Sequence, residues 1–317
     1  MKKRISVITP CYNEKENIEE CYETIKRLFL EKLNNYCYEH IFCDNSSNDG
    51  TTKILRDIAN KDQNVKVIIN ARNFGPGRST YNGLLNASGD AILMFLPADL
   101  QDPPELLPEF VNLWEQGYEI VYGIRINREE KWWMRKIRQA YYHMVSKLSY
   151  IDVPPEVGDF QLIDKKVLNA MRQIDDAYPF MRLMTFECGF RSVGISYQWV
   201  KRKRGFSKNK LLDLVDQGLN GLIKFTNVPL RLAMGTGLII AMTSILYAIL
   251  TLIGNLIFIG KVTAPGIPTL IVALFFFAGI QLFLLGLMGE YLIAIYGQVR
   301  KKPLVIERER INFTNQG

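Results

Sequence analysis

The residues best suited to chemistry in this 317-residue chain lie at positions 97–105. They follow a short apolar run, residues 91–96, that predicts a buried strand, and they lead into a helix expected to begin at Pro104. Asp99 and Gln101 place carboxylate and amide oxygens at the end of that strand. Hard cations such as Mg²⁺ bind oxygens of this kind together with the phosphate oxygens of a substrate. In isolation, Asp-x-Gln is more often a polar turn, but the surrounding pattern favours a metal site.

The elements that would position this run alternate between strand and helix. Alternation of this kind predicts an α/β fold with a mostly parallel sheet covered by helices. Ligands of such sheets bind beyond the carboxyl ends of the strands, near a reversal of strand order. Polar residues follow three strands, at 10–14, 44–50 and 99–101, which predicts one shared site. The predicted strands are 4–9, 40–43, 65–69 and 91–96, and the predicted helices are 17–30, 51–59 and 77–87.

Two long uncharged stretches predict membrane-spanning helices. No charged residue lies between Arg231 and Lys261, and none lies between Lys261 and Glu290. Each stretch exceeds the ~20 residues that a helix needs to cross a bilayer core. Proline and glycine at 261–268 would break the helix and form the turn between the spans.

The basic residues predict the orientation of these spans, because cytoplasmic flanks are enriched in lysine and arginine. The turn holds only Lys261, so both termini are expected in the cytoplasm. Residues 1–4 run directly into a strand, and no secretory signal is expected. Cationic amphipathic stretches at 131–151 and 211–225 predict helices at the membrane interface, with a core-packing helix as the alternative for the first. The flanking basic residues are Lys201, Arg202, Lys203, Arg204, Lys208, Lys210, Lys224 and Arg231 before the first span, and Arg300, Lys301 and Lys302 after the second.

Charge and cysteine content further narrow the class of protein and the kinds of site it can contain. The net charge of +7 is interpreted as serving contact with the membrane surface rather than nucleic-acid binding, because no nucleic-acid-binding motif is recognisable. The five cysteines form no Cys-x-x-Cys pair, and His40 and His143 are the only histidines, which argues against a zinc site. Reduced thiols acting as small apolar side chains are expected in the cytoplasm.

Six motifs occur in order along the chain, and together they resemble glycosyltransferase family 2. Within that family the chain looks like the polyprenyl-phosphate glycosyltransferases, which include dolichyl-phosphate mannose synthases and bactoprenol-phosphate glucosyltransferases. The resemblance extends over about residues 4–300. The motifs are Thr-Pro-Cys-Tyr-Asn-Glu (9–14), Asp-Asn-Ser-Ser-Asn-Asp-Gly-Thr (44–51), Asn-Phe-Gly (73–75), Ala-Asp-Leu-Gln-Asp-Pro-Pro (98–104), Gly-Asp-Phe-Gln-Leu (158–162) and Arg-Lys-Arg-Gly-Phe-Ser-Lys (202–208).

The resemblance implies a GT-A fold, a Rossmann-like sheet that binds a nucleotide-sugar through a divalent metal. By position, Asp99 and Gln101 would hold Mg²⁺ or Mn²⁺ against the donor diphosphate. Arg202 and Lys208 would add positive charge to the same phosphates. Asp49 is interpreted as a helix N-cap instead. The remaining donor-side residues implied by the resemblance are Pro10, Tyr12, Glu14, Asp44 and Asn73.

On the acceptor side, the resemblance points to Asp159, and Arg128 and Arg135 are candidates for binding the acceptor phosphate. A phosphate monoester is mostly ionised near neutral pH and is already a nucleophile. Asp159 is therefore expected to position the acceptor or the sugar hydroxyls, with proton abstraction as the alternative. The implied reaction is an inverting displacement in which the lipid phosphate attacks the sugar C1. Its catalytic residues would be Asp159, Asp99 and Arg202.

Two positions depart from the family pattern. Pro97 stands where relatives commonly carry an aspartate, so one potential metal ligand is missing, and metal affinity without donor is expected to be weaker. Asn45 stands where a second aspartate is frequent.

Three other hypotheses compete: a processive polysaccharide synthase, an inactive sugar-nucleotide sensor and a redox Rossmann enzyme. The first lacks its Gln-x-x-Arg-Trp motif and further spans, and the last lacks its third glycine.

The expected organisation has four parts: a GT-A domain at 1–210, a juxtamembrane helix at 211–230, two transmembrane helices at 231–300 and a cytoplasmic tail at 301–317. Weak alternation at 304–306 predicts an edge strand, in this subunit or a neighbouring one. The expected partners are a UDP-sugar, undecaprenyl phosphate and the inner-membrane bilayer, with no nucleic acid. A homo-oligomer, a tetramer, is also expected. Glucose is the first candidate sugar, with N-acetylglucosamine, mannose, galactose and aminosugars left open.

Overall fold

The computed structural model describes residues 2–126, 136, 154, 157–174, 176, 179–198, 228–257, 267–300 and 302–313. The chain divides into two compact units. The first comprises residues 1–147, 151–210 and 301–317, and the second comprises 148–150 and 211–300. The last residues of the chain therefore belong to the same unit as its beginning.

The first unit is built on one eight-stranded sheet. Its strands are β1 (Arg4–Cys11), β2 (Cys37–Asp44), β3 (Val65–Asn70), β4 (Ala91–Leu93), β5 (Ile120–Ile126), β6 (Val157–Asp164), β7 (Ser192–Gln198) and β8 (Glu307–Ile311). They lie in the order β7-β5-β6-β4-β1-β2-β3-β8. The described helices of this unit are α1 (Ile18–Glu31), α2 (Thr51–Lys61), α3 (Pro76–Leu85), α4 (Leu107–Glu115, after a 3₁₀ turn at Pro104–Leu106), α5 (Lys165–Ile174) and α6 (Met181–Glu187).

The strand order reverses beside β1. Strands β1, β2 and β3 are added outward in parallel, and the chain then crosses back to place β4 in parallel on the other side of β1. Strand β6 is antiparallel to both β4 and β5, so its first residues lie at the same edge as the last residues of β4. The predicted α/β fold with a mostly parallel sheet is confirmed, with a switch point beyond β1 and β4.

The fourth strand is shorter than predicted and ends at Leu93 rather than at residue 96. Beyond it, the Met94 N–H donates to the Gln161 carbonyl at 2.8 Å, and the Leu96 N–H donates to the Ile8 carbonyl at 2.9 Å. The backbone of this stretch thus bonds alternately to the neighbours on its two sides instead of continuing one regular ladder. Met94 and Leu96 are fully buried as the chain approaches the turn at 97–101.

Helices pack closely on the sheet because apolar and small residues face it. Helix α1 buries its predicted apolar face, including Ile25 and Phe29. Helix α3 approaches so closely at Gly83 that a Cβ there would lie 2.3 Å from Cys43 Sγ. All five cysteines are free in this structure. Three of them are buried, but Cys37 is exposed at the start of β2 and Cys188 is half-buried, so neither is a core residue.

The tail forms an edge strand within its own chain. Strand β8 pairs antiparallel with β3, with Val67 opposite Ile311. The strand begins three residues later than the predicted alternation at 304–306, and its sequence is mostly charged. Charged side chains suit an exposed sheet edge because they discourage pairing with other chains.

The second unit contains two long helices, α7 (Val228–Ile257) and α8 (Ile267–Val299). Among the residues that the structure describes, one stretch, Phe276–Val299 in α8, is long and apolar enough to cross a membrane. The predicted turn at 261–268 lies almost entirely outside the described residues. The same is true of the predicted interface helices at 131–151 and 211–225, so these features and the two-span hairpin stay predictions.

Candidate active site

The loops after β1 and β2 are joined by hydrogen bonds. The backbone N–H groups of Asn13 and Glu14 donate to the hydroxyls of Ser47 and Thr51, at 2.9 and 3.0 Å. Asn13 has a positive φ of 55°, a conformation that asparagine tolerates better than most residues. Because the two loops are linked, Pro10, Tyr12 and Glu14 share one edge of the sheet with the end of β2.

Asp44 is fully buried at the end of β2 and is engaged in its own loop. One carboxylate oxygen accepts hydrogen bonds from the Ser47 N–H at 3.2 Å and from the Ser47 hydroxyl at 2.5 Å. The other accepts from the Thr52 hydroxyl at 2.5 Å. These bonds fix the loop, and the donor-binding role of Asp44 stays a prediction.

Asp49 supports the start of α2, but the predicted N-cap role is wrong, because the N-cap residue is Gly50 and no side chain caps the helix. Its carboxylate accepts the Thr51 N–H at 3.0 Å and the Lys15 N–H at 3.1 Å. Burial raises the pKa of Asp49, but the hydrogen bonds from Thr51 and Lys15 outweigh it and leave the pKa lowered. The helix itself begins after Gly50, whose φ of 101° suits glycine.

Asn45 has a structural reason for not being an aspartate. Its carbonyl oxygen accepts from the Asn70 amide at 2.9 Å, while its own amide donates to the Gly75 carbonyl at 3.2 Å. A carboxylate could accept but could not donate to Gly75. Asn73 holds the same loop, since its side-chain oxygen accepts the Gly75 N–H at 2.8 Å. The nucleotide-sugar-binding role of Asn73 stays a prediction.

Asp99 and Gln101 lie in one tight turn beyond β4. The Leu100 N–H donates to the Pro97 carbonyl at 3.0 Å, and Leu100 has a φ of 53°. The Gln101 N–H lies 3.4 Å from Asp99 Oδ1. Both side chains are half-buried.

The turn suits a cation that completes its coordination with other oxygens. Across the described parts of the chain, no group of three or more His, Cys, Asp or Glu side chains could hold a metal ion. One carboxylate and one amide oxygen match the coordination preference of Mg²⁺, which keeps several water ligands and binds substrate phosphates. The residues present therefore fit a metal bound jointly with a phosphorylated ligand.

A second acidic residue near this turn, Asp102, is engaged elsewhere. Its carboxylate is fully buried and receives a forked pair of bonds from Arg125, at 3.0 and 2.7 Å. The Tyr197 hydroxyl also donates to it. This cluster could not be predicted from the sequence, because Arg125 and Tyr197 lie on separate strands, β5 and β7, that meet only in the folded sheet.

Asp159 lies near the start of β6 and forms a forked ion pair with Arg182 of α6. Arg182 Nη2 donates to Asp159 Oδ2 at 2.6 Å, and Nε donates to Oδ1 at 3.3 Å. Burial raises the pKa of Asp159, but the Arg182 guanidinium and the charge of Arg125 outweigh burial and leave the pKa lowered. An ionised carboxylate with a lowered pKa is a weak base, which favours positioning over proton abstraction.

The sheet topology brings the described candidates to one edge. Residues 10–14 lie at the end of β1 and just beyond it, Asp44 ends β2, Asp99 and Gln101 follow β4, and Asp159 lies near the start of the antiparallel β6. Four predicted site residues, Arg128, Arg135, Arg202 and Lys208, lie outside the described residues, and their roles stay predictions. The sequence did not indicate Arg125 or Arg182.

Comparison with known proteins identifies the family. Residues 6–172 match the model of Glycosyl transferase family 2. The chain belongs to that family. Relatives match nearly the whole length of the chain. One is YkcC, an uncharacterized glycosyltransferase from Bacillus subtilis (strain 168). It is 34% identical, and the match covers 98% of this chain and 95% of the YkcC chain. The bactoprenol glucosyl transferase of Shigella phage SfV is 31% identical over 97% of this chain and 99% of its own.

A prophage-derived bactoprenol glucosyl transferase of Shigella flexneri is 32% identical, over 96% of this chain and 97% of its own length. Among solved structures, glucosyl-3-phosphoglycerate synthase from Mycobacterium tuberculosis, in complex with Mn²⁺, UDP and phosphoglyceric acid, aligns with a TM-score of 0.50. It is 18% identical and covers 70% of this chain and 76% of that one. The fold is therefore GT-A-like, and the chain is a glycosyltransferase, as the resemblance in the sequence implied.

Proposed function

We propose that this chain transfers a sugar, glucose as the first candidate, from a UDP-sugar to polyprenyl phosphate. The observation that carries the proposal is the match to the Shigella bactoprenol glucosyl transferases, which spans 96–97% of this chain. That match includes both the sheet unit and the apolar helices, so it concerns the whole enzyme rather than the donor domain alone. Undecaprenyl phosphate is the polyprenyl acceptor with which the proposal is tested.

Asp99 and Gln101 would hold a divalent cation, Mg²⁺ or Mn²⁺, in the turn beyond β4. A cation bound there supplies positive charge that stabilises the departing nucleoside diphosphate. The Mycobacterium tuberculosis synthase carries Mn²⁺ and UDP together, which supports the same pairing in this fold. With Asp102 engaged by Arg125, the protein contributes few ligands and the donor supplies the remainder.

The transfer itself needs no base from the protein. An ionised oxygen of the lipid phosphate forms a bond to the sugar C1, and the bond from C1 to the nucleoside diphosphate breaks with its electron pair leaving on the diphosphate. Asp159, kept ionised beside Arg182, accepts hydrogen bonds from hydroxyls of the sugar or the acceptor. Arg202 and Lys208 would bind the donor phosphates, and Arg128 and Arg135 would bind the acceptor phosphate.

The path of the chain supports an even number of membrane crossings. Strands β7 and β8 belong to one sheet, yet the two long helices α7 and α8 lie between them in sequence. A chain that leaves a sheet on one side of a bilayer and returns to it must cross an even number of times. We therefore propose that α7 and α8 both span the inner membrane, with the sheet and both termini in the cytoplasm.

Assembly as a homotetramer is also proposed, and the detergent-corrected mass of the purified protein tests it. The β8–β3 pairing lies within one chain, so assembly would depend on other surfaces.

The transfer is tested by a screen of donors with undecaprenyl phosphate and Mn²⁺ or Mg²⁺, in which mass spectrometry identifies the lipid product. The screen contains UDP-glucose, UDP-N-acetylglucosamine, UDP-galactose and GDP-mannose. The proposal expects a sugar lipid with UDP-glucose, and an Asp99→Ala variant that makes little of it. A sugar lipid made from another donor would correct the sugar, and the absence of any sugar lipid would refute the transfer.

A further inference from the structure

We propose that Arg182 is a positioning residue of the transfer site, whose guanidinium holds the Asp159 carboxylate for the hydroxyls that it must bind. This inference rests on the proposed function and adds a residue to it. Arg182 lies on α6, 23 residues beyond Asp159 in the chain, and its neighbours belong to none of the motifs that identify the family.

The geometry of the pair is that of a positioning contact. The two parallel bonds from Nη2 and Nε fix both the place and the plane of the carboxylate. Both side chains are only partly buried, at 23% exposed for Arg182 and 28% for Asp159. Asp159 therefore retains a surface at which a hydroxyl can meet it. A carboxylate has about four lone-pair sites, and two bonds from Arg182 leave room for others.

A buried polar network holds Arg182 itself in place. The Gln161 side chain donates to the Arg182 carbonyl at 3.2 Å and to the Gly158 carbonyl at 2.8 Å. Its oxygen accepts the Thr185 hydroxyl at 2.9 Å. Gln161 and Thr185 are fully buried, so these bonds tie α6 to the strand that carries Asp159. A fully satisfied buried network of this kind gives a rigid support.

The second arginine near Asp159 does not duplicate this role. Arg125 contributes a favourable charge to Asp159, but its own forked bonds go to Asp102, and its Nε also bonds the Tyr197 hydroxyl. Among the described residues, the charged and titratable groups around Asp159 are Arg182 from α6 and Arg125 from β5, and Arg125 in turn contacts Asp102 and Tyr197. The two forked ion pairs therefore have different roles. The pair with Arg125 fixes Asp102 in the core, and the pair with Arg182 fixes Asp159 at the site.

The test compares Arg182→Gln and Arg182→Lys with the parent enzyme, using the full chain, UDP-glucose, undecaprenyl phosphate and Mn²⁺. We expect Arg182→Gln to lower kcat by about 10- to 100-fold through misplacement of Asp159. The titration midpoint of Asp159 should move up by about 1 pH unit or more, because an unpaired carboxylate is protonated more easily. Arg182→Lys should keep the Asp159 titration near its original position and recover part of kcat. Arg172→Gln, an exposed arginine on α5, is the matched control and should change neither.

Carboxyl ¹³C NMR of aspartate-labelled protein follows the titration of Asp159 without turnover, with the signal assigned through Asp159→Asn. If the parent makes no sugar lipid, the proposed function fails, while this titration still tests the pairing. An unchanged kcat and an unchanged Asp159 titration in Arg182→Gln would overturn the inference. So would a fall in kcat with an unmoved Asp159 titration, since that would be a merely structural effect. Should Arg182→Gln not fold, Arg182→Lys carries the test, and full activity without the fork would overturn the inference.

Discussion

Asp99, Asp102 and Asp159 lie near one edge of the same sheet, yet their surroundings assign them different tasks. Asp102 is buried under Arg125 and Tyr197 and holds the core. Asp159 is paired with Arg182 at a partly exposed position and suits hydroxyl binding. Asp99 lies in the tight turn with Gln101, whose N–H is 3.4 Å from Asp99 Oδ1, and is proposed to hold the metal. The partner of each carboxylate, more than its position in a motif, decides what it can do.

Replacing Pro97 by aspartate should strengthen metal binding in the absence of donor. The turn uses only the Pro97 carbonyl, which accepts the Leu100 N–H and is present in any residue. An added carboxylate beside Asp99 would supply a ligand and lower the Mn²⁺ dissociation constant by about 10-fold, equivalent to ~1.4 kcal/mol. Isothermal titration calorimetry with the donor-free protein measures this. Asp99→Asn in the Pro97→Asp background should remove the gain, and equal Mn²⁺ affinity of Pro97→Asp and the parent would show that position 97 does not face the metal.

His40 should make the protein less stable in mild acid. It is fully buried on β2, its Nε2 lies 2.9 Å from the Thr9 hydroxyl, and its Nδ1 has no hydrogen-bond partner within the described structure. Burial lowers the pKa of His40 to about 3. In the unfolded chain the pKa of His40 is about 6.5, so His40 is protonated there at pH values at which it stays neutral in the folded chain. Stability is therefore lost as pH falls from about 6.5 towards 3, at up to about 1.4 kcal/mol per pH unit.

Thermal midpoints measured between pH 7.5 and 5 check this, with His40→Gln as the comparison. Above pH 5 most carboxylates stay ionised, so the histidine dominates the difference between the two proteins. The parent should lose stability on acidification faster than His40→Gln does. Parallel curves would show that His40 does not carry the acid sensitivity.

At the scale of the elements, the tail after the second long helix is part of the sheet. Asn312 donates to the carbonyls of Ala59 and Val65, at 2.7 and 2.8 Å, and so ties the tail to the connection between α2 and β3. Arg308 also bonds the Ala71 carbonyl at 3.1 Å, next to the loop that Asn45 and Asn73 shape. The strand therefore braces the side of the sheet on which the donor is expected to bind.

Deleting residues 303–317 should lower the thermal midpoint by several degrees, because β3 loses its partner and exposes an unpaired edge. The exposed ion pair between Arg56 and Glu309 contributes little to this loss. Deleting only 314–317 removes no part of β8 and is the matched control. Equal midpoints for the two deletions would show that the tail is dispensable for the sheet.

The early part of the fold could be predicted from the sequence because its signals are local. The apolar spacing of α1 and the motif-bearing ends of β1, β2 and β4 all appear in short windows of sequence. The pairing of β5 with β7 could not be predicted, because it joins strands whose partners are chosen by tertiary packing. The ion pairs at Asp102 and Asp159 each join residues 23 positions apart that meet only through tertiary packing, which is why Arg125 and Arg182 were missed. Strand β8 was placed too early because its charged residues resemble a loop.

At the scale of the whole molecule, the return of the tail to the sheet predicts a membrane hairpin. Thiol labelling tests it in a Cys37→Ser background, which removes the exposed native cysteine. A membrane-impermeant reagent should label Thr263→Cys in intact cells, because residue 263 is expected outside. It should label Thr314→Cys only after the membrane is opened. Labelling of Thr314→Cys in intact cells would contradict the cytoplasmic tail.

The most direct measurement of the central claim is acceptor-dependent release of nucleoside diphosphate from the donor. The full-length protein in lipid vesicles with Mn²⁺ and UDP-glucose is assayed with and without undecaprenyl phosphate. We expect UDP release that requires the lipid phosphate and matches the sugar lipid formed mole for mole. In Asp99→Ala it should fall by about 100-fold or more, because a group that stabilises the leaving diphosphate is lost. Release at the same rate without the lipid, or none with any nucleotide-sugar offered, would contradict the central claim.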